Sequence, residues 1–216
     1  TIIRINHKKL SYILTYAFII KICLLLINNN IFFIVDGNMD ALSFERKGWE
    51  YGGYLDTFSF VSNLYEFGFN KTYSYSYFIA LIYSFFGRNI IIIQSLSILI
   101  SLMSIYLTYL VSLKLFNNDK NISLLNAFLC ASLISITNYS VLSMREAYIL
   151  FILLLSINLF FNYLELNKII YFIGCLILSL LHYFLHPPMM SIIIVYTVIY
   201  FFVKMKKFNI KLKLIL

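Results

Sequence analysis

Charge is scarce in this chain. Only 12% of its 216 residues are Asp, Glu, Lys or Arg, while 62% are hydrophobic and the mean hydropathy is +0.87. A soluble domain cannot reach those values, because its surface needs polar side chains, so the composition is that of an integral membrane protein. With two prolines and seven glycines there is little room for a disordered linker, and no tandem repeat is visible. The three cysteines, Cys23, Cys130 and Cys175, lie singly inside apolar segments without paired spacing, which reads as small buried hydrophobes and not as a disulfide or metal framework. Acid is rarer still, with nine carboxylates against 17 Lys and Arg. The cations sit at the ends of apolar runs and form no basic patch, so they serve to orient helices, and nucleic acid is not an expected partner.

Apolar runs cover residues 10–27, 90–116, 122–142, 147–164, 169–185 and 189–203. Each approaches the length needed to cross about 30 Å of hydrocarbon at about 1.5 Å per residue. A seventh, residues 73–87, opens on polar and aromatic residues and suits a re-entrant or interfacial helix. Leaving that segment uncrossed places Lys8 and Lys9, Lys114 and Lys120, Lys168, and the lysines from Lys204 to Lys213 on one side. The positive-inside bias then predicts an all-α, polytopic membrane domain over 1–216 with six crossings, membrane lipids around it and a cytoplasmic N-terminus. Thr1 at one end and "KLKLIL" at the other read as cuts in a longer polypeptide. Lys21, inside the first apolar run, is expected to snorkel or to face neighbouring helices.

Six of the nine acids fall in one segment, at Asp36, Asp40, Glu45, Glu50, Asp56 and Glu66. In this topology residues 36–72 form an extracytoplasmic first loop, and its tryptophan, tyrosines and glycines predict a folded, partly interfacial structure. The same face receives Arg88, the "SMREA" of Ser143–Ala147 and the "HYFLHPP" of His182–Pro188. Arg145 beside Glu146 reads equally as a helix-boundary charge pair or as a functional pair. His182 and His186 have the i, i+4 spacing of a two-histidine metal site, but without a third ligand in sight hydrogen-bonded interface histidines are the plainer expectation. Carboxylates, arginines and histidines gathered at one water–lipid boundary suit a substrate that is half lipid and half polar, such as a polyprenyl-phosphate sugar.

The order of a first helix, an outer loop with "DGNMDALSF", then "YSYFIALIYSFFGRN", a span, a basic turn, a span and "SVLSMREAYIL" resembles the N-terminal half of polytopic GT-C glycosyltransferases of the dolichyl-phosphate-mannose mannosyltransferase-like group. The likeness covers roughly residues 10–165 and rests on pattern. It implies a catalytic base at Asp40 or Asp36 and a second acid at Glu146 that holds the acceptor or a divalent metal ion. Arg145, Arg88, His186 and His182 would bind substrate. Glu146 directly after Arg145 departs from the more usual, separated Asp of that group. The expected activity is inverting transfer of a sugar from a polyprenyl-phosphate donor to a lipid or cell-surface glycan acceptor, in the bacterial cytoplasmic membrane. A repeat-unit polymerase for O-antigen or capsule and a non-enzymatic transporter or flippase of lipid-linked glycan are the alternatives.

Overall fold

The computed structural model describes residues 7–34, 36–37, 39–53, 74–186 and 188, and all but 193 and 197 between 191 and 200. It is a helical bundle. In chain order its elements are α1 (His7–Asn30), α2 (Asp40–Gly53), α3 (Ser74–Phe86), α4 (Ile90–Leu115), α5 (Lys120–Ser132), α6 (Ile134–Val141), α7 (Glu146–Leu166) and α8 (Ile169–Leu185). Local chemistry sets several ends. Asn89 caps α4 by accepting from the Ile91 N–H, and Asp119 caps α5 by accepting from the N–H groups of Asn121 and Ile122. Asn167, in the left-handed region, closes α7 with its N–H on the Tyr163 carbonyl.

The long helix α4 is the centre, and it is buried on a face rich in small hydroxyls: Ser97, Ser101, Ser104 and Ser112 beside Ile93, Ile98 and Ile105. Small residues let neighbouring backbones approach closely where the surrounding lipid gives no hydrophobic drive for helix association. Contacts fix the helix directions. Ser97 Oγ meets the Tyr148 hydroxyl near the starts of α4 and α7, and Lys114 Nζ donates to Asn158 Oδ1 at 2.7 Å and Asn162 Oδ1 at 2.5 Å near their ends, so the two run parallel. α1 opposes α4, since Asn29 and Gln94 exchange side-chain hydrogen bonds, and α8 opposes α7, since Arg145 reaches the Leu185 carbonyl. These directions gather Lys8, Lys9, Lys114, Lys120 and Lys168 at one end of the bundle. Asp36, Asp40, Arg88, Arg145, Glu146, His182 and His186 lie toward the other.

Three helices are long and apolar enough to cross a membrane: Lys8–Asn30 and Ile90–Leu115, each with mean hydropathy 2.3, and Glu146–Leu166 with 2.0. A fourth crossing arises if α5 and α6 count as one bent span. The expectation of six crossings is therefore corrected to three or four among the described residues. The run 122–142, read from the sequence as one helix, bends by 56°. Leu133 is extended there, with φ −64° and ψ 116°. Thr137 Oγ1 donates to the carbonyls of Ala131 and Leu133, satisfying backbone acceptors that the break would otherwise strand. α8 has 17 residues, about 25 Å, which falls short of the hydrocarbon thickness. The predicted span 189–203 and the basic tail lie partly or wholly outside the described residues. α3, with 13 residues, is likewise too short to cross.

The first loop is folded where it is described. α2 buries Phe44, Glu45 and Gly48 against α3 and Ala41, in the same i, i+3, i+4, i+7 stripe, against Leu142 and Met144, and it exposes Asp40, Arg46, Trp49 and Glu50. Gly48 permits that packing, since a Cβ there would stand 2.4 Å from Ile79 Cγ2 and 2.7 Å from Ile79 Cβ. Lys21 is fully buried, so it faces its neighbours and does not snorkel, and its Nζ donates to Ser140 Oγ at 2.7 Å. Cys130 and Cys175 are buried as expected, whereas Cys23 is exposed on the apolar α1.

Candidate functional site

Three separated segments meet at the acidic end of the bundle. The first is the turn after α1. Asn28 Oδ1 accepts from the Ile34 N–H, and Asp36 takes a left-handed φ of 67°, a conformation that Asp and Asn tolerate better than most residues. The Asp36 carbonyl then accepts from the N–H groups of Met39 and Ala41, which starts α2 with Asp40 as its first residue. A carboxylate in that position is favoured by the positive end of the helix dipole.

The second segment is the turn between α6 and α7. Ser143 is buried, and its Oγ donates to the Ala41 carbonyl at 3.0 Å, so the first turn of α2 is tied to the "SMREA" sequence. That bond brings the first turn of α2 near enough to Glu146 for the charges of Asp40 and His186 to act on it. Tyr139 on α6 donates its hydroxyl to Asp36 Oδ2 at 3.2 Å and also feels Glu146 and Asp40. Asp36 thus holds the phenol directly, while Asp40 and Glu146 act on it only through their charge. Two cavities adjoin there along Ser135 and Tyr139. One, about 210 Å³, reaches Asp36 and Asn138, and the other, about 180 Å³, reaches Glu146 and Ser101.

The third segment is the end of α8. His182 is buried against α7 near the Ile149 backbone, and neither ring nitrogen has a hydrogen-bond partner among the described residues. His186 is not on the same helix face as His182. It is the C-cap, extended at φ −152°, because the residue before a proline is pushed out of the helical region. The i, i+4 metal geometry is therefore absent. No group of three His, Cys, Asp or Glu that could hold a metal ion occurs among the described residues.

The two arginines are placed differently. Arg145 Nη1 donates to the Leu185 carbonyl at 3.2 Å, its guanidinium lies 5.5 Å from the Phe44 ring centroid, and its Nε is 3.8 Å from Glu146 Oε1. It joins α2, α7 and α8 at the site. Arg88 instead grips Glu45 with two hydrogen bonds, Nε to Oε1 at 2.9 Å and Nη2 to Oε2 at 3.0 Å, and the Tyr83 hydroxyl adds a third at 3.0 Å. Those bonds raise the Arg88 pKa above its already high value, and burial, then the Glu45 charge, pushes the Tyr83 phenol well above its usual range. Arg88 also lies 5.4 Å from the Trp49 ring centroid. The α2–α3 pair is thereby locked next to the site.

Tyr139, Ser143 and Ser101 were not singled out from the sequence. Nothing in their spacing marks them, since each is one hydroxyl in an apolar helix or turn, and only the convergence of α4, α6 and α7 gives them a role. Comparisons with protein-family models, with curated proteins and with solved structures return no match to this chain.

Proposed function

We propose that this chain belongs to an integral-membrane glycosyltransferase and carries its catalytic base, and that it moves a sugar from a polyprenyl-phosphate carrier to a lipid or cell-surface glycan acceptor. The acidic end of the bundle faces the extracytoplasmic side of a bacterial cytoplasmic membrane, and the lysine end faces the cytoplasm. The observation that carries this reading is that Asp36 and Glu146, about a hundred residues apart, line adjoining cavities that share Tyr139, with Arg145 beside Glu146 and Asp40 close enough to act on both Tyr139 and Glu146 through its charge.

The acceptor oxygen attacks the anomeric carbon as the bond from that carbon to the lipid phosphate breaks. The bond's electron pair leaves with the phosphate, and the acceptor's proton passes to a carboxylate. Asp40, exposed at the start of α2, is the better-placed base, because Asp36 already accepts the Tyr139 hydroxyl. Arg145 stabilises the departing phosphate charge, and Glu146 orients the acceptor.

Membranes containing this chain and labelled polyprenyl-phosphate sugars test the reading directly. Asp40→Asn keeps the side chain's size but cannot take a proton at neutral pH, so transfer should fall by roughly two to four orders of magnitude with insertion unchanged. Full activity in both Asp40→Asn and Asp36→Asn, or no transfer from any such donor by the wild type, would sink it. A second reading, transport of lipid-linked glycan, is favoured by one feature: a buried lysine, Lys21, bonded to the shorter arm of a bent helix. Movement of labelled lipid-linked glycan across proteoliposomes, with no transfer product, would select that reading instead.

A further inference from the structure

α2 and α3 are packed together at the acidic end of the bundle, yet their outward faces differ in kind. α2 turns Asp40, Arg46 and Glu50 outward. α3 contains no charged residue, and on the side away from the buried Ile79 and Ala80 it exposes Leu81 and Phe85, one helical turn apart. Phe86 follows at its end, and Phe85 and Phe86 are 74% and 67% exposed. The hydroxyl exposed among them, that of Ser84, is given back to the Leu81 carbonyl at 2.7 Å. A helix that is apolar on both faces stands in two apolar surroundings, and the bundle supplies only one of them.

The position of α3 identifies the other. Its first residue is tied to α8 by a hydrogen bond from Ser74 Oγ to the Phe184 carbonyl, and its last precedes the start of α4, so both its ends lie at the acidic end of the bundle. Ile93, Ala147 and Tyr148, near the starts of α4 and α7, pack against its inner face. Gly87, left-handed at φ 71°, turns the chain from α3 into α4. α4 is long and apolar enough to cross a membrane, and its exposed Ile91, Leu99 and Met103 fall on one helix face, which is where lipid covers it. Phe85 and Phe86 come just before that stripe. Arg88 separates the two in sequence, half exposed despite its bonds to Glu45, with its guanidinium 5.4 Å from the centroid of the exposed Trp49 ring. Arginine and tryptophan together suit a headgroup layer, where phosphates meet the cation and the indole straddles water and hydrocarbon.

We infer that α3 is seated in the bilayer surface, with Leu81, Phe85 and Phe86 among the acyl chains nearest the headgroups and Arg88 among the phosphates. The partner is the lipid leaflet at the acidic end of the bundle. α2 rides on α3 with its charged face toward water. The seating does not depend on the transferase reading.

Trp49 is the chain's single tryptophan, which makes depth measurable by fluorescence. Full-length chain with Trp49→Phe and either Phe85→Trp or Phe86→Trp is reconstituted in phosphatidylcholine vesicles whose acyl chains carry bromine near their carbonyl ends. A companion with Trp49→Phe and Glu50→Trp reports on α2. The α3 probes should lose most of their emission to the brominated lipid and little to aqueous acrylamide, and the α2 probe should do the opposite. Quenching of the α3 probes by acrylamide would put their face in water, and quenching by neither agent would mean that protein covers it. Either result overturns the inference, as does strong lipid quenching of the α2 probe. Phe85→Asp in the chain that keeps Trp49 is an independent check, because Phe85 is exposed and its loss opens no core. Lifting α3 from the lipid should make Trp49 several-fold more accessible to acrylamide, and unchanged accessibility would equally overturn the seating. A failed transfer assay alongside lipid-quenched α3 probes would remove the transferase reading and leave this surface standing.

Discussion

Two Arg–Glu pairs stand at the same end of this bundle and do different work. Glu45 and Arg88 meet through two short hydrogen bonds, a third comes from Tyr83, and Glu45 is almost wholly buried while the Arg88 side chain is 48% exposed. Glu146 and Arg145 are neighbours in sequence yet approach only to 3.8 Å, and each keeps an atom without a partner among the described residues. The first pair is closed and holds α2 on α3. The second is slack, and a pair that leaves its charges uncommitted can give them to a substrate.

The largest effect that would separate the pairs is on stability. Arg88→Ala strands a buried carboxylate, and because Arg88 is half exposed the cost should be about 2–3 kcal/mol, below the roughly 3–5 of a fully buried pair. A double-mutant cycle on Glu45 and Arg88, followed by unfolding in detergent, should give a coupling above about 1 kcal/mol, against less than about 0.5 for Arg145 and Glu146. Similar couplings would erase the distinction.

Next in size is Gly48→Ala. The new methyl group would sit on Ile79, and separating α2 from α3 to admit it should cost about 1–3 kcal/mol and loosen the Glu45–Arg88 clamp, visible as faster proteolysis within α2. An unchanged melting curve would mean that the clamp does not depend on that close approach.

The smallest effect sharpens the slack side. Ser143→Ala removes the hydroxyl that bonds the Ala41 carbonyl, for about 1 kcal/mol of stability, while Arg145 and Glu146 stay in place. If that bond positions Asp40, transfer should drop far more than stability. A loss of transfer no larger than the loss of folded protein would confine Ser143 to packing.

How much of this was legible in the sequence depends on the length scale of each signal. Apolar runs of 20 residues or more and the placement of lysines are local patterns, and they identified a helical membrane protein with the candidate acids Asp36, Asp40 and Glu146 at one end and Lys8, Lys9, Lys114, Lys120 and Lys168 at the other. The number of crossings among the described residues was overestimated because hydropathy carries no information about a bend or about where a helix ends: residues 122–142 are a largely apolar run whose break at Leu133 has no Pro or Gly to announce it, and the run 169–185 forms a helix of only 17 residues. The candidate acids stood out because carboxylates are rare here. Their partners did not, since Arg88 was available on paper to either Glu45 or a substrate, and only the docking of α2 on α3 assigns it. The i, i+4 spacing of His182 and His186 does not become a shared helix face for a local reason, the proline after His186, which was in plain view.

The Lys21–Ser140 bond has a consequence for biosynthesis. Its two residues are 119 positions apart, and the N-terminal one is made first. At about 5–20 residues per second, Ser140 emerges roughly 6–24 s after Lys21. For that interval α1 holds a lysine near the middle of an apolar segment with its final partner not yet synthesised, at a cost of about 2.5–3.5 kcal/mol on translocon insertion scales. The isoleucines and leucines around it must carry α1 into the membrane alone. A nascent chain stalled before residue 140 should therefore release α1 from the bilayer more readily than one stalled after α6, a difference that alkaline extraction of ribosome-bound intermediates would register.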